Sequence, residues 1–319
     1  MRAGNNKIVF KENKVKEIIR QFNREKAYTI VELLTVMSII IILIGLFAPA
    51  VVQVRRFARD VKQRNQFKGI REGLELFTAE MDGYPPSEGT DGIGTPYCGA
   101  MKLAEAMMGQ DLLGFHPSSI FRADGTIDGT PATQLYDLPL PPTDPLYKAN
   151  LKARKGPYLQ SDDAYRMGNI FPASHLGPFL AGSLVLCDVY GHVTNLGSEG
   201  DARIGMPVLY YKADTSKTLH DPNNPGNPDN IYDYMDNHTL VSLGMPWEAA
   251  PPAGPRHALF DDGSGIPGRR FYINTRDDKI TTTWRPYKYD SYILLSAGND
   301  GEYGTADDIF NFEWRYKEY

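Results

Sequence analysis

A run of twenty residues without a charged side chain, Leu33–Val52 (LLTVMSIIIILIGLFAPAVV), restricts this chain more than any other feature. As a helix it rises about 30 Å, enough to cross the hydrocarbon of a bilayer. The apolar region of a cleavable signal peptide is shorter, roughly 7–15 residues, and closes on a small-residue cleavage site. Here the run passes straight into a helical pattern, so a retained membrane segment is expected. Twenty uncharged residues in succession would also be unusual for a core helix in a chain that is 42% hydrophobic and 23% charged.

Charge is uneven around the run. Residues 1–27 hold eight Lys/Arg against three Glu, a net of +5, whereas the whole chain is −5, which leaves −10 for residues 28–319. A basic tip on an acidic body does not suit nucleic acid, whose binders spread positive charge along a groove or face. Cys98 and Cys187 could pair in an oxidising compartment, but two cysteines make no disulfide framework, and no Cys/His spacing suggests structural zinc. The 23 Pro and 30 Gly imply many loops and turns beyond the first helix.

Glu32 stands at the start of the apolar run. A carboxylate near hydrocarbon is costly unless it is protonated, paired or held at the interface. One reading is an interfacial Glu favoured by the helix dipole; the other requires a cationic partner inside the membrane.

The segment REKAYTIVELLTVMSIIIILIGLFAPA, Arg24–Ala50, resembles the leader junction of type IV pilins and of type II secretion pseudopilins. Ala27, Tyr28 and Ile30 stand where that family usually has Gly, Phe and Leu. The resemblance implies cleavage between Ala27 and Tyr28 by a prepilin peptidase that also methylates the new N-terminus. It makes Glu32 the fifth residue of the mature chain, engaging the terminal amine of a neighbouring subunit during assembly. An amine cation and a carboxylate brought together offset one another's desolvation. Pro49 falls where the family often has a helix-kinking proline, and its missing N–H implies local melting or bending. The implied partners are the peptidase/N-methyltransferase, pilin-like subunits including itself, a secretion or pilus assembly platform and the lipid bilayer, but no nucleic acid. The implied location is the bacterial cytoplasmic (inner) membrane, crossed once, with the leader cytoplasmic and the head in the periplasm or outside.

Beyond Pro49, Val54, Phe57, Val61, Ile70, Leu74, Phe77 and Met81 continue a helical period. Arg55, Arg56, Arg59, Lys62, Arg64, Lys68 and Arg71 lie between them, and read as a solvated face or a contact with lipid phosphates ahead of a specific partner site. MDGYPPSEG, Met81–Gly89, stops the helix, with Gly83 suited to a cap. A second helix is expected over Gly99–Phe115 with Leu103, Met107, Leu112 and Leu113 inward, followed by a turn-rich stretch from His116 to Phe179. Strands are expected at Ser183–Val189, Pro207–Tyr211, Arg270–Ile273 and Tyr292–Leu295. HDPNNPGNPDN, His220–Asn230, reads as a loop, and DVYGHV…MPVLYYKA resembles a turn and strand of the pseudopilin family. The expected fold is α+β: a long N-terminal transmembrane and amphipathic helix packed on a small antiparallel sheet, with a large loop-rich insertion. Its organisation is a basic leader (1–27), a helix (28–82) and a globular head (83–319).

The loop SAGNDGEYGTADDIF, Ser296–Phe310, gathers Asp300, Asp307 and Asp308 between glycines after a strand. Hard oxygen ligands on such a loop suit Ca²⁺, although the spacing is not that of an EF-hand. The loop resembles the calcium loop of major type II secretion pseudopilins. That resemblance makes Asp300 and Asp308 the side-chain ligands, with Thr305 or Asp307 in support. A solvated acidic turn is the alternative.

Little points to an enzyme. His116, His175, His192, His220, His238 and His257 are dispersed, and Ser183 and Ser291 lack a nucleophile-elbow context. The acidic pairs Asp162/Asp163 and Asp261/Asp262 lie in loops expected to face water. A non-catalytic role is the expectation.

Overall fold

Thr29 opens the long helix α1 (Ile30–Met81) through a reciprocal cap. The Thr29 amide donates to Glu32 Oε2 (2.8 Å), and the Glu32 amide donates to Thr29 Oγ1 (3.2 Å). This satisfies two amide donors that a helix start otherwise leaves unpaired. The computed structural model describes residues 29–160, 162, 164–194, 203–248 and 257–316. The leader, the Ala27–Tyr28 junction and Asp163 lie outside the described residues.

The chain divides into two compact units, residues 1–55 and 56–319. In the first, every described residue from Thr29 to Arg55 is exposed, including the whole apolar run. Among the described residues this is the one helix long and apolar enough to cross a membrane. Its helical backbone runs unbroken through Pro49, so of the local melting or bending expected there, the melting does not occur.

In the second unit, the rest of α1 buries Gln63, Phe67, Ile70, Gly73, Leu74 and Phe77, which share one helical face. Phe57 and Val61, expected on that stripe, are 71% and 41% exposed, and Val54 in the first unit is exposed as well. The head covers the stripe only from Gln63 onward. Phe77 meets Phe115 and Tyr158 edge-on, at 5.1 and 5.8 Å between centroids. Polar contacts add register: Gln66 Nε2 donates to the Cys187 carbonyl (2.7 Å), and the Val189 amide donates to Gln63 Oε1 (2.9 Å). α1 stops at Met81, and the left-handed turn falls on Asp82 (φ 56°) rather than on Gly83, since a short polar side chain tolerates that conformation.

The core is built around α2 (Gly99–Met108), all ten residues of which are buried. It packs against β2 (Leu184–Leu186) and β5 (Leu209–Lys212). The helix is shorter than expected. Gly109 takes φ 74° and its amide returns to the Glu105 carbonyl (2.7 Å), so Leu112 and Leu113 leave the helix and are about half exposed. The turn-rich stretch also holds an unexpected helix, α3 (Pro145–Ala153), capped by the Asp144 carboxylate accepting from the Leu146 amide (2.8 Å).

Among the described residues, three small antiparallel sheets complete the head. β1 (Ala164–Arg166) pairs with β2, and a single helical turn, α4 (Met167–Ile170), follows β1. β3 (Val193–Thr194) pairs with β4 (Arg203–Ile204). β5, β6 (Tyr292–Ser296) and β7 (Ile309–Phe310) form the third sheet, with Leu209 opposite Leu295 and Ser296 opposite Ile309. A short turn of helix, α5 (His238–Val241), precedes α6 (Arg269–Thr275), which replaces the strand expected at Arg270–Ile273. Phe271–Thr275 are buried on every side, so their apolar run carries no period that would separate strand from helix. Cys98 and Cys187 are both buried, and no disulfide joins them. The fold is therefore α+β, with a long apolar N-terminal helix and small antiparallel sheets.

Candidate functional site

Two features gather the chemistry-bearing residues. The first is the start of α1, where both Thr29 groups address Glu32: Thr29 Oγ1 also donates to Glu32 Oε2, at 3.0 Å. The TIVE sequence is a capping box, a signal that attention to the apolar run alone passes over. In a single chain Glu32 is thus already hydrogen-bonded, and Pro49 contributes no side-chain polar group.

The second is the hairpin connection between β6 and β7. Their register holds the loop's two ends together, and its glycines take positive φ at Gly298, Gly301 and Gly304. Gly304 (φ 98°) shows why: a Cβ there would lie 2.2 Å from the Leu259 amide nitrogen. Two neighbours pin the loop from outside. His192 Nε2 donates to the Gly298 carbonyl (3.0 Å), and an Arg59 guanidinium nitrogen donates to Asn299 Oδ1 (3.1 Å).

Within the loop the four candidate residues divide their work. Asp307 is the organiser: its Oδ2 accepts from the Asn299 and Asp300 amides (2.6 and 3.0 Å), and its Oδ1 accepts from Thr305 Oγ1 (2.8 Å). Asp300 Oδ1 accepts from the Glu302 amide (2.8 Å). Burial, with the Asp307 carboxylate close by, pushes Asp300 up to about 6. Asp308 is buried; its Oδ2 accepts from the Gly304 amide (2.8 Å), whereas its Oδ1 has no hydrogen-bond partner. Burial holds Asp308 well above the ordinary carboxylate range, and the Asp300 and Asp307 charges push in the same direction.

An orphaned buried carboxylate oxygen beside two further carboxylates is a donor set that a hard cation such as Ca²⁺ would relieve. Among the described residues, however, no group of three or more His, Cys, Asp and Glu stands ready as a metal cage. A cation here would have to draw further oxygens from the hydroxyl of Thr305 and from backbone carbonyls.

A buried carboxylate near this loop was not singled out from the sequence. Asp188 Oδ2 accepts from Ser296 Oγ (2.9 Å), and its Oδ1 accepts from the Tyr190 and Met206 amides (3.1 and 3.2 Å). Burial pushes it up to about 8. It ties β6 to the Asp188–Met206 segment, and its signal was the DVYG turn.

The histidines serve as packing and hydrogen-bonding groups in the head. His220 Nε2 donates to the Tyr272 carbonyl (2.9 Å), and the Tyr303 amide donates to His257 Nδ1 (3.1 Å). Ser242 Oγ lies 3.5 and 3.4 Å from the two ring nitrogens of His238, a position astride the ring rather than a nucleophile–base bond. Asp162 is exposed as expected, but the Asp262 side chain is only 4% exposed and lies 3.8 Å from Arg269, so that acidic pair does not simply face water. Comparison of the chain with protein-family models, curated proteins and solved structures returned no match.

Proposed function

We propose that this chain is a non-catalytic pilin-like subunit that assembles through α1 into a type II secretion pseudopilus or a related filament. The observation that carries the reading is α1 itself. A fully exposed apolar segment, headed by Glu32, continues without a break into the helix on which the head is built. Such a surface is stable in lipid or against other apolar helices, not in water. Cleavage at Ala27–Tyr28 by a prepilin peptidase would place a cationic amine four residues from Glu32. The Glu32 carboxylate of one subunit then pairs with the Tyr28 amine of the next, leaving the Thr29 cap for a stronger charge-assisted partner.

In this reading the leader is cytoplasmic, α1 crosses the bacterial inner membrane once, and the head lies in the periplasm or beyond. The acidic loop holds Ca²⁺ through Asp300 and Asp308, with Thr305 and Asp307 in support, and the ion braces the β6–β7 hairpin by neutralising clustered carboxylates. A second reading is favoured by the elaborated head, with α3, α4 and β1 between α2 and β2: a minor subunit of a type IV pilus, or a membrane-tethered surface domain that builds no secretion pseudopilus.

Mass spectrometry of the mature N-terminus, together with an assembly assay on Glu32→Leu, tests the proposal. N-methyl-Tyr28 and loss of filaments in the variant are expected. An intact leader, a cut after the apolar run, or undiminished assembly of Glu32→Leu removes the reading.

A further inference from the structure

The part of the head that lies between β5 and β6 in sequence contains an open groove of about 770 Å³, within the range of small-ligand sites. Two aromatic side chains line it with much of their surface free, Trp284 at 38% and Tyr289 at 45% exposure. Each carries a guanidinium on its ring: Arg276 Cζ lies 4.1 Å from the Trp284 centroid, and Arg285 Cζ lies 3.7 Å from that of Tyr289. A stacked cation favours one ring orientation, so these walls are set before a ligand arrives and less side-chain freedom is lost on binding.

The charged groups around the aromatic walls cancel. Asp221 and Asp290 line the groove opposite in sign to Lys217 and Arg285, and Lys217 is itself held 3.4 Å from Asp214. A balanced lining offers no net attraction to a strongly anionic or cationic ligand. What it offers is flat apolar faces bordered by strong hydrogen-bond acceptors and donors. That is the complement of a pyranose ring, whose C–H face stacks on an aromatic face. Its hydroxyl rim donates to carboxylates and accepts from ammonium and guanidinium groups.

We propose that this groove binds a neutral oligosaccharide, with Trp284 and Tyr289 as stacking platforms and Asp221 and Asp290 as hydroxyl acceptors. The groove shares no lining residue with the β6–β7 loop or with α1, and it goes beyond the assembly reading: it stands whether or not the chain enters a filament.

The test uses the full chain in phosphatidylcholine nanodiscs, since detergents with sugar headgroups would compete. Calorimetric titrations use cellohexaose, chitohexaose and maltohexaose, with hexagalacturonate as the charged comparator. A parallel pull-down on insoluble cellulose and chitin separates recognition of a free oligosaccharide from that of a polysaccharide surface. At least one neutral hexasaccharide is expected to bind, and Trp284→Ala and Tyr289→Ala should each weaken it by about tenfold. Asp221→Asn should weaken it several-fold. If Trp284→Ala lowers the melting temperature, Tyr289→Ala and Asp221→Asn decide the matter. The proposal is overturned if none of the three neutral probes binds up to about 10 mM. It is overturned equally if hexagalacturonate binds more tightly than all of them, or if binding survives unchanged in the folded variants.

Discussion

Asp236 sits 6% exposed at the centre of the head, accepting a hydrogen bond from Ser87 Oγ. Burial pushes its carboxyl up to about 7, with the Asp233 and Glu88 charges adding and the Ser87 bond and Lys102 opposing. A carboxyl that holds its proton more tightly when folded favours the folded state most below the ordinary carboxylate pKa, and this advantage disappears as pH rises toward 7. The melting temperature should therefore fall between about pH 4 and pH 7, with a contribution on the order of 1–3 kcal/mol from this residue. Asp236→Asn should flatten that part of the profile, and a melting curve at each pH reads it directly. The β6–β7 loop makes a different demand. In the absence of Ca²⁺, Asp308→Asn replaces a buried carboxyl, one oxygen of which has no partner, and should leave stability unchanged or raise it by about 1 kcal/mol. If calcium binds, adding it should raise the melting temperature of the unaltered chain but not that of Asp308→Asn or Asp300→Ala. An unaltered chain whose melting ignores calcium would sink the metal assignment. The acidic cluster could be read from the sequence because Asp300, Asp307 and Asp308 crowd one glycine-bounded turn. For Asp188 the DVYG turn is the one local mark, because only the folded chain brings Ser296 and the Met206 amide onto its oxygens.

At the scale of elements, local chemistry was legible where one signal dominated. The apolar run marked α1, and the aromatic and β-branched runs marked β2, β5 and β6 to within a few residues. α3 is masked in sequence by the surrounding prolines, which signal loop, although Asp144-Pro145 is a cap followed by a first-turn proline. α6 resembles a strand in sequence because burial on all sides erases its period, and α2 falls short of the expected Phe115 because Gly109 stops it. The head's grip on α1 can be tested at Leu74, which is fully buried on the α1 face that enters the core. Leu74→Ala should cost about 2–5 kcal/mol in denaturant unfolding of the head, by lost burial and a residual cavity. Phe57→Ala, on the same helix but exposed, should change it by less than about 0.5 kcal/mol. The opposite end of α1 makes its own prediction. Thr29→Ala removes the hydroxyl from the capping box and leaves Glu32 less engaged within its own chain. If Glu32 exchanges this cap for a neighbour's amine, Thr29→Ala should assemble at least as fast as the unaltered subunit in a sedimentation assay. Slower assembly with normal N-terminal processing would mean that the cap must persist in the filament.

For the whole molecule, the deciding property is the separation of charge along the chain. Arg55, Arg56, Arg59, Lys62, Arg64, Lys68 and Arg71 are all exposed, whereas residues 72–319 carry a net −15. Lys68 approaches Glu72 at 3.8 Å, with both side chains more than 60% exposed, so that pair contributes little. In the proposed filament a cationic stripe and an acidic head recur in each copy and would attract one another, and at about 0.15 M salt such attraction reaches only about 8 Å. If the stripe serves a neighbouring head, the assembled fraction should fall when salt rises from about 50 mM to about 500 mM. The double variant Arg56→Glu/Lys62→Glu should then assemble poorly at low salt and lose the salt response. If the stripe serves lipid phosphates instead, assembly in zwitterionic bilayers should be indifferent to both changes. Anionic lipid should then alter the unaltered chain and leave the double variant unaffected. Because Arg56 and Lys62 lie outside the buried face of α1, the head's melting temperature should be the same in every arm. Any difference between arms then reports contacts between molecules rather than the fold.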